Sequence, residues 1–197
     1  MQAISFLKNY IKYPKMIGAV CPSSKYLAKK MVANVDFKNA KCIVEYGPGT
    51  GVFTNELIKR KKEDTVLLVL ELNEELFNSL QKKYEKTKNV YIINDSAEKV
   101  GEYVEQHGFK NADYIVSGLP FAAFPEQLTK NILDNTLKTL NKDGKFITFQ
   151  YTLLKRKLIN QFFSDIKITF EIKNIPPAFV FSCAKSELDL KNYKEAI

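Results

Sequence analysis

Histidine occurs once in this chain, cysteine three times and tryptophan not at all. The single His107 sits beside Gly108 near an expected helix end, and reads as a surface residue rather than a ligand or base. Cys21, Cys42 and Cys183 are far apart and form no C-x-x-C pair, which leaves a zinc site without support and reduced thiols as the default. No run approaches the roughly 18 apolar residues of a spanning helix. The N-terminus lacks the apolar core and small-residue cleavage site of a secretory signal. The expectation is a cytoplasmic protein.

Acidic residues are missing from the first 35 positions, where Lys8, Lys12, Lys15, Lys25, Lys29 and Lys30 carry most of the chain's net charge of +8. Such asymmetry points to an anionic partner, a membrane surface or a nucleic acid. At about 100° per residue, Ala3, Ile4, Phe6, Leu7, Tyr10 and Ile11 fall on one arc of about 160°, with Ser5, Lys8, Asn9 and Lys12 opposite. Residues 2–13 therefore read as an amphipathic helix that Pro14 ends or bends. That pattern suits a lipid interface and equally a helix packed over the protein's own core. Pro22-Ser23-Ser24 offers caps for a second basic helix over about 25–34.

The remaining composition, 45% hydrophobic and 26% charged over 197 residues, is that of an ordinary globular domain. From residue 41 the pattern alternates. Strands are expected at 41–46, 65–71, 90–94, 112–117 and 145–151, with helices between them at about 51–61, 73–86, 97–107 and 125–140. This predicts an α/β fold with a mostly parallel, doubly wound sheet. After a helix near 153–164, two β-rich runs at 166–174 and 178–185 flank Ile175-Pro176-Pro177. The connection is too short for a crossover, so this pair is expected to be an antiparallel hairpin. The organisation expected is a basic helical segment over 1–35 and a ligand-binding domain over 36–197.

The densest signal is Val44-Glu45-Tyr46-Gly47-Pro48-Gly49-Thr50-Gly51. An apolar run feeds a turn with glycine at alternate positions, and a helical pattern follows at once. A ligand can lie against bare backbone there, beside the open N–H groups of the next helix. Glu71 ends the second apolar run, 20 residues past Gly51, where a carboxylate can accept hydrogen bonds from a ribose diol. Asn94-Asp95-Ser96-Ala97 ends the third strand and Ser117-Gly118-Leu119-Pro120-Phe121 the fourth. All four features fall at the carboxyl edge of the sheet, where open α/β folds bind ligands. NAD is the competing cofactor, but its turn usually places the third glycine three residues after the second, and here the interval is two.

Glu45-x-Gly47-x-Gly49-x-Gly51 resembles motif I of the class I S-adenosylmethionine-dependent methyltransferases, a Rossmann-like fold. The resemblance implies a seven-stranded sheet of order 3-2-1-4-5-7-6. It implies that Gly47, Gly49 and Gly51, after Glu45, flank the methionine part of S-adenosyl-L-methionine and that Glu71, followed by Leu72, holds the ribose. It further implies that Asp95 accepts from the adenine amino group, with Ser96 and Ala97 near the ring.

Two branches of that fold are similar to this chain over the acceptor region. Ribosomal RNA adenine dimethylases carry Asn-Leu/Ile-Pro-Tyr/Phe after strand four. Here Gly118-Leu119-Pro120-Phe121 stands in that place, with glycine for the asparagine that helps hold the target amine. Their helical RNA-binding domain has no counterpart expected in the short stretch after the last strand. The bacterial phospholipid N-methyltransferases are similar at Ile17-Gly18-Ala19-Val20-x-Pro22-Ser23-Ser24, Glu45 to Thr54, Glu71-Leu72-Asn73, Ser117-Gly118-Leu119-Pro120 and Asn174-Ile175-Pro176-Pro177-Ala178. That resemblance implies methyl transfer to the head-group amine of a phosphatidylethanolamine-like lipid, or another amine. It also implies peripheral attachment to the inner face of an anionic membrane through residues 2–17. RNA remains the alternative substrate. In either case the amine attacks the sulfonium methyl in line, and the protein aligns the reactants and excludes water. Ser117, which is also a candidate cofactor contact, the Leu119 carbonyl, Tyr46 and Tyr151 are the candidate acceptor-orienting groups, and Tyr13 is a candidate to close over the cofactor.

Overall fold

The computed structural model describes residues 23–186 and Asp189. The expected helix at 2–13, Tyr13, the membrane segment 2–17 and Cys21 lie outside the described residues. Seven strands form one sheet: β1 (Cys42–Tyr46), β2 (Val66–Leu70), β3 (Val90–Ile93), β4 (Ala112–Ser117), β5 (Leu140–Gln150), β6 (Asp165–Glu171) and β7 (Ala178–Ala184). Their spatial order is β3-β2-β1-β4-β5-β7-β6, the order the resemblance implied. The first five strands run parallel and β7 is antiparallel to both neighbours.

The central strands are continuous apolar runs because helices cover both faces. Along β1, alternate side chains enter separate cores. Cys42, Val44 and Tyr46 face one layer, with α4 (Val100–Gln106), α5 (Glu126–Thr139) and α6 (Arg156–Ile159). Ile43 faces the other, with α1 (Lys25–Met31) and α2 (Val52–Arg60). Leu27, Ala28, Met31 and Val32 are fully buried in that second core, so the end of the basic N-terminal stretch is itself core material. Ser24 caps α1 by accepting from Leu27 N at 3.1 Å. The α3 helix (Glu74–Tyr84) starts at Asn73, whose side chain accepts from Leu76 N at 2.9 Å. Among the described residues no helix is long and apolar enough to cross a membrane.

Two elements differ from the sequence expectation. The fifth strand begins at Leu140 and runs through Asn141-Lys142-Asp143-Gly144, ahead of the start expected at 145. The stretch is held against β4 through Asp113, whose carboxylate accepts from Asn141 Nδ2 at 2.5 Å and from Lys41 N and Cys42 N at 2.7 and 3.0 Å. The register shifts there by a bulge. The helix expected near 153–164 is a single turn. Its tail folds back so that Phe163 stacks on Phe146 with centroids 5.6 Å apart.

Candidate functional site

Glu45 lies near the end of β1, on the face that carries Ile43. Its side chain is fully buried, and among the described residues neither carboxyl oxygen has a hydrogen-bond partner. Burial pushes its pKa up to about 8. Thr54 of α2 lies close enough to pull that value back, but its hydroxyl does not reach hydrogen-bonding geometry and is itself unpartnered. The negative charge of Glu71 nearby adds to the rise.

The turn after β1 carries positive φ at Gly47, Gly49 and Gly51 (57°, 56° and 82°). These values favour glycine, because a Cβ clashes with the carbonyl in this region. A Cβ added to Gly49 meets nothing within 4 Å, so this face of the turn is open. Gly51, the N-cap of the nine-residue α2, offers no side-chain cap to the N–H groups of its first turn. Glu71, just past β2, is 6% exposed. It accepts from Gly49 N at 3.3 Å and from Asn73 N at 2.9 Å, tying the glycine turn to the start of α3. Burial raises its pKa, and these backbone donors oppose the rise. Leu72 is half-buried and packs on the core below.

Asp95 follows β3. Burial raises its pKa, but Lys99 Nζ at 2.9 Å, Tyr103 Oη at 2.7 Å and Ser96 N at 2.7 Å donate to it and leave it lowered. It is thus held ionised, with acceptor capacity left for one more donor. Ser96 caps the following short turn by accepting from Glu98 N at 3.2 Å, and Ala97 is buried beneath it.

Past β4, Ser117 is buried and its hydroxyl accepts from Leu119 N at 3.2 Å, which curls the loop. Gly118 N donates to Tyr46 O at 2.8 Å. A Cβ on Gly118 would stand 2.5 Å from Gly47 O, so the two loops meet backbone to backbone. The Leu119 carbonyl accepts from Gln150 Nε2 at 3.2 Å, and Gln150 Oε1 accepts from Ala122 N at 3.2 Å.

Glu45, Gly47, Gly49, Gly51, Glu71, Leu72, Asp95, Ser96, Ala97, Ser117 and Leu119 all come to the carboxyl edge. Tyr46 departs from the expectation for it. Its ring is fully buried toward α5, with Oη 3.2 Å from Thr136 Oγ1, and burial raises its pKa. It is a core residue and offers nothing to an acceptor. Tyr151 is half-buried, its ring edge-on to Phe149 at 5.4 Å, and packs on the α1–α2 face. Gln150, Tyr103 and Lys99 escaped the sequence reading. Gln150 had a signal, as the lone amide at the end of an apolar strand. A separate cavity of about 320 Å³ opens at the amino edge, around Asp36, Asp113 and Asn141. Those carboxylates are already bonded, Asp36 to Lys38 N and Asn39 Nδ2 of its own loop and Asp113 to Lys41 N and Asn141 Nδ2 of neighbouring segments.

An unpartnered buried carboxylate, a second half-satisfied one and an open glycine turn select a ligand with cationic and diol-bearing parts. The residues fit S-adenosylmethionine, whose sulfonium and ammonium are positive.

A family model for ribosomal RNA adenine dimethylase matches residues 22–166. The chain is 29% identical, over 90% of its length, to the ornithine lipid N-methyltransferase of Singulisphaera acidiphila, and covers 93% of that protein. It is 27% identical, over 80% of its length, to ribosomal RNA small subunit methyltransferase A of Hydrogenobaculum sp., and covers 55% of that protein. Among solved structures, the N-methyltransferase NodS from Bradyrhizobium japonicum in complex with S-adenosyl-l-homocysteine matches with a TM-score of 0.64 at 11% identity. That match spans 82% of this chain and 84% of that one, and shows the shared fold alone. With the motif order, the sheet order and the family match in agreement, the chain belongs to the ribosomal RNA adenine dimethylase family and is an S-adenosylmethionine-dependent methyltransferase.

Proposed function

We propose that this enzyme methylates the head-group amine of a phosphatidylethanolamine-like lipid at the inner face of the cytoplasmic membrane. The observation that carries the reading is Gly118. The RNA adenine dimethylase motif places a side-chain amide at this position. Here the backbone of Gly47 leaves no room for even a Cβ, so an asparagine requires the two loops to part. The relative of which this chain covers 93% is named for lipid N-methylation, which supports the same reading. Residues 2–17, basic and amphipathic, are the segment proposed to reach the membrane. The family match itself favours a second reading, RNA adenine N6-methylation.

Bound S-adenosylmethionine supplies an electrophilic methyl group with a good leaving group. In this reading Glu45 offers negative charge to the cationic end of the ligand, the Gly47–Gly51 turn lies along it, Glu71 accepts from its ribose, and Asp95 takes its adenine amine. Ser117 and the Leu119 carbonyl are proposed to orient the attacking amine, with water carrying off its proton. Tyr151, beside the end of β5, is the remaining candidate wall for the acceptor.

The deciding experiment supplies purified protein and labelled methyl donor with either total lipid or ribosomal RNA. Label in phosphatidylethanolamine is the expected result. Label in RNA with none in lipid overturns it.

Gln150 is expected to hold the Leu119 carbonyl in register. Gln150→Leu removes one of the two donors to that carbonyl, which keeps Phe121 N at 3.1 Å, and leaves the Ala122 N–H without its acceptor, at a stability cost of about 1–3 kcal/mol. Single-turnover methyl transfer should fall well below wild type while S-adenosylmethionine affinity, read by calorimetry, holds. Equal losses in both would mean that Gln150 supports the fold only.

A further inference from the structure

The turn joining β6 and β7 displays large apolar side chains on a rigid support. Ile172 is 70% exposed and Ile175 is 83% exposed. Loose loops often expose such residues, but this one is pinned. Asn174, 2% exposed, accepts from Ser24 N at 2.8 Å and donates to Pro176 O at 2.7 Å. Glu171 accepts from Lys173 N at 2.8 Å and pairs with Lys30 Nζ at 3.1 Å, and Lys30 also donates to Phe170 O at 2.6 Å. The isoleucines therefore point outward from a preformed turn.

Two ammonium groups accompany the turn. Lys173 Nζ lies 5.0 Å from the ring centre of Tyr26, itself 42% exposed, and Lys25 Nζ lies 5.5 Å from it on α1. The one carboxylate in the turn, Glu171, is buried and already paired. Apolar tips ringed by ammonium groups and a tyrosine complement an anionic lipid surface, with the chains below the head groups and the charges among them.

The position connects the patch to the reaction. Gln150, at the end of β5, pairs with Phe179 of β7, so the turn stands at the same edge of the sheet as the glycine loop. Two strand spacings, about 10 Å, separate β7 from β4 and its Ser117–Pro120 loop. The chain also enters the described fold beside this turn, at Ser23 and Ser24.

We propose that the β6–β7 turn, with Ile172 and Ile175 as its apolar tips and Lys25 and Lys173 as its cationic rim, docks on anionic lipid and sets the crevice against the bilayer surface. The proposal rests on the lipid reading of the enzyme, and names a contact separate from residues 2–17.

The chain holds no tryptophan, so Ile175→Trp introduces a lone reporter. With full-length protein and vesicles of phosphatidylethanolamine and phosphatidylglycerol, its emission should shift to the blue and be quenched by brominated lipid. Tyr91→Trp, on the far edge strand β3, should do neither. Ile172→Asp with Ile175→Asp should weaken vesicle co-sedimentation about tenfold or more, as expected for removing two buried aliphatic contacts and adding charge. A cooperative melt and unchanged S-adenosylmethionine binding should show that the fold is intact. Unshifted emission from the Ile175→Trp variant, an equal response from Tyr91→Trp, or full vesicle binding by the double variant each overturn the docking surface. Methyl transfer to phosphatidylethanolamine in detergent micelles needs no docking. Its absence would count against the lipid reading, whatever the vesicles show.

Discussion

Glu45→Gln should make the ligand-free protein more stable above about pH 8 and at the same time weaken its hold on S-adenosylmethionine. A glutamate of ordinary pKa 4.5 is raised to about 8 at this site by burial. Below pH 4.5 both folded and unfolded chains hold the proton and the site contributes nothing to pH dependence. Between 4.5 and 8 the unfolded chain has lost the proton and the folded one keeps it, so stability falls as pH rises, by about 1.4 kcal/mol per unit. Above 8 the whole penalty, several kcal/mol, is in place. Glutamine removes the slope, and denaturant melts from about pH 5 to about pH 9 read the difference directly. Ligand binding should have the opposite sign. A cationic ligand favours the ionised carboxylate, so binding near pH 7 releases protons from wild type and tightens as pH rises toward about 8. Calorimetry in buffers of different ionisation enthalpy measures that release. Equal affinity and equal proton release in the glutamine variant would remove Glu45 from the binding site.

The second large effect separates two glycines that look alike in the sequence. Gly49→Arg should abolish S-adenosylmethionine binding and leave a folded protein. Its φ of 56° costs a side chain about 1–2 kcal/mol, and its Cβ points into open space, so the guanidinium occupies the cradle. Gly118→Ala should do the reverse at first sight, because its Cβ meets backbone at 2.5 Å and the loops must move. A loss of about 1–3 kcal/mol is expected, together with slowed methyl transfer. Thermal melts with and without ligand distinguish them. Ligand at about a hundred times its Kd should add about 2.7 kcal/mol to wild type and nothing to Gly49→Arg. Full binding by Gly49→Arg would contradict the placement of the ligand along this turn.

The sheet was readable because strands buried on both faces are continuous apolar runs, and Val66–Leu70 or Ile115–Val116 leave little choice. The Asn141–Gly144 stretch misled because its turn-forming residues are held in a strand by one carboxylate 28 positions upstream, Asp113, a contact that local pattern does not contain. The order of site motifs was legible for the same reason as the strands that carry them. The place of Tyr46 was also within reach. It neighbours Glu45 on a strand, so the two must face opposite layers, and a Glu45 assigned to the site turns Tyr46 to the other face. That Glu45 stands without a partner among the described residues could not be read, since it depends on how β1 and α2 pack in space. Gln150 was passed over because its value comes from Leu119 and Ala122, which meet it only across β4 and β5.

The strand order has a consequence for how the protein is made. The last strand, β7, lies inside the sheet, and the earlier β6 pairs with no other strand. Until Ala178–Ala184 has been synthesised, β5 keeps an unpaired edge and β6 has no strand to pair with. Translation therefore delivers the piece that seals the sheet after every strand it must join, and chains halted before it expose a sticky border to their neighbours.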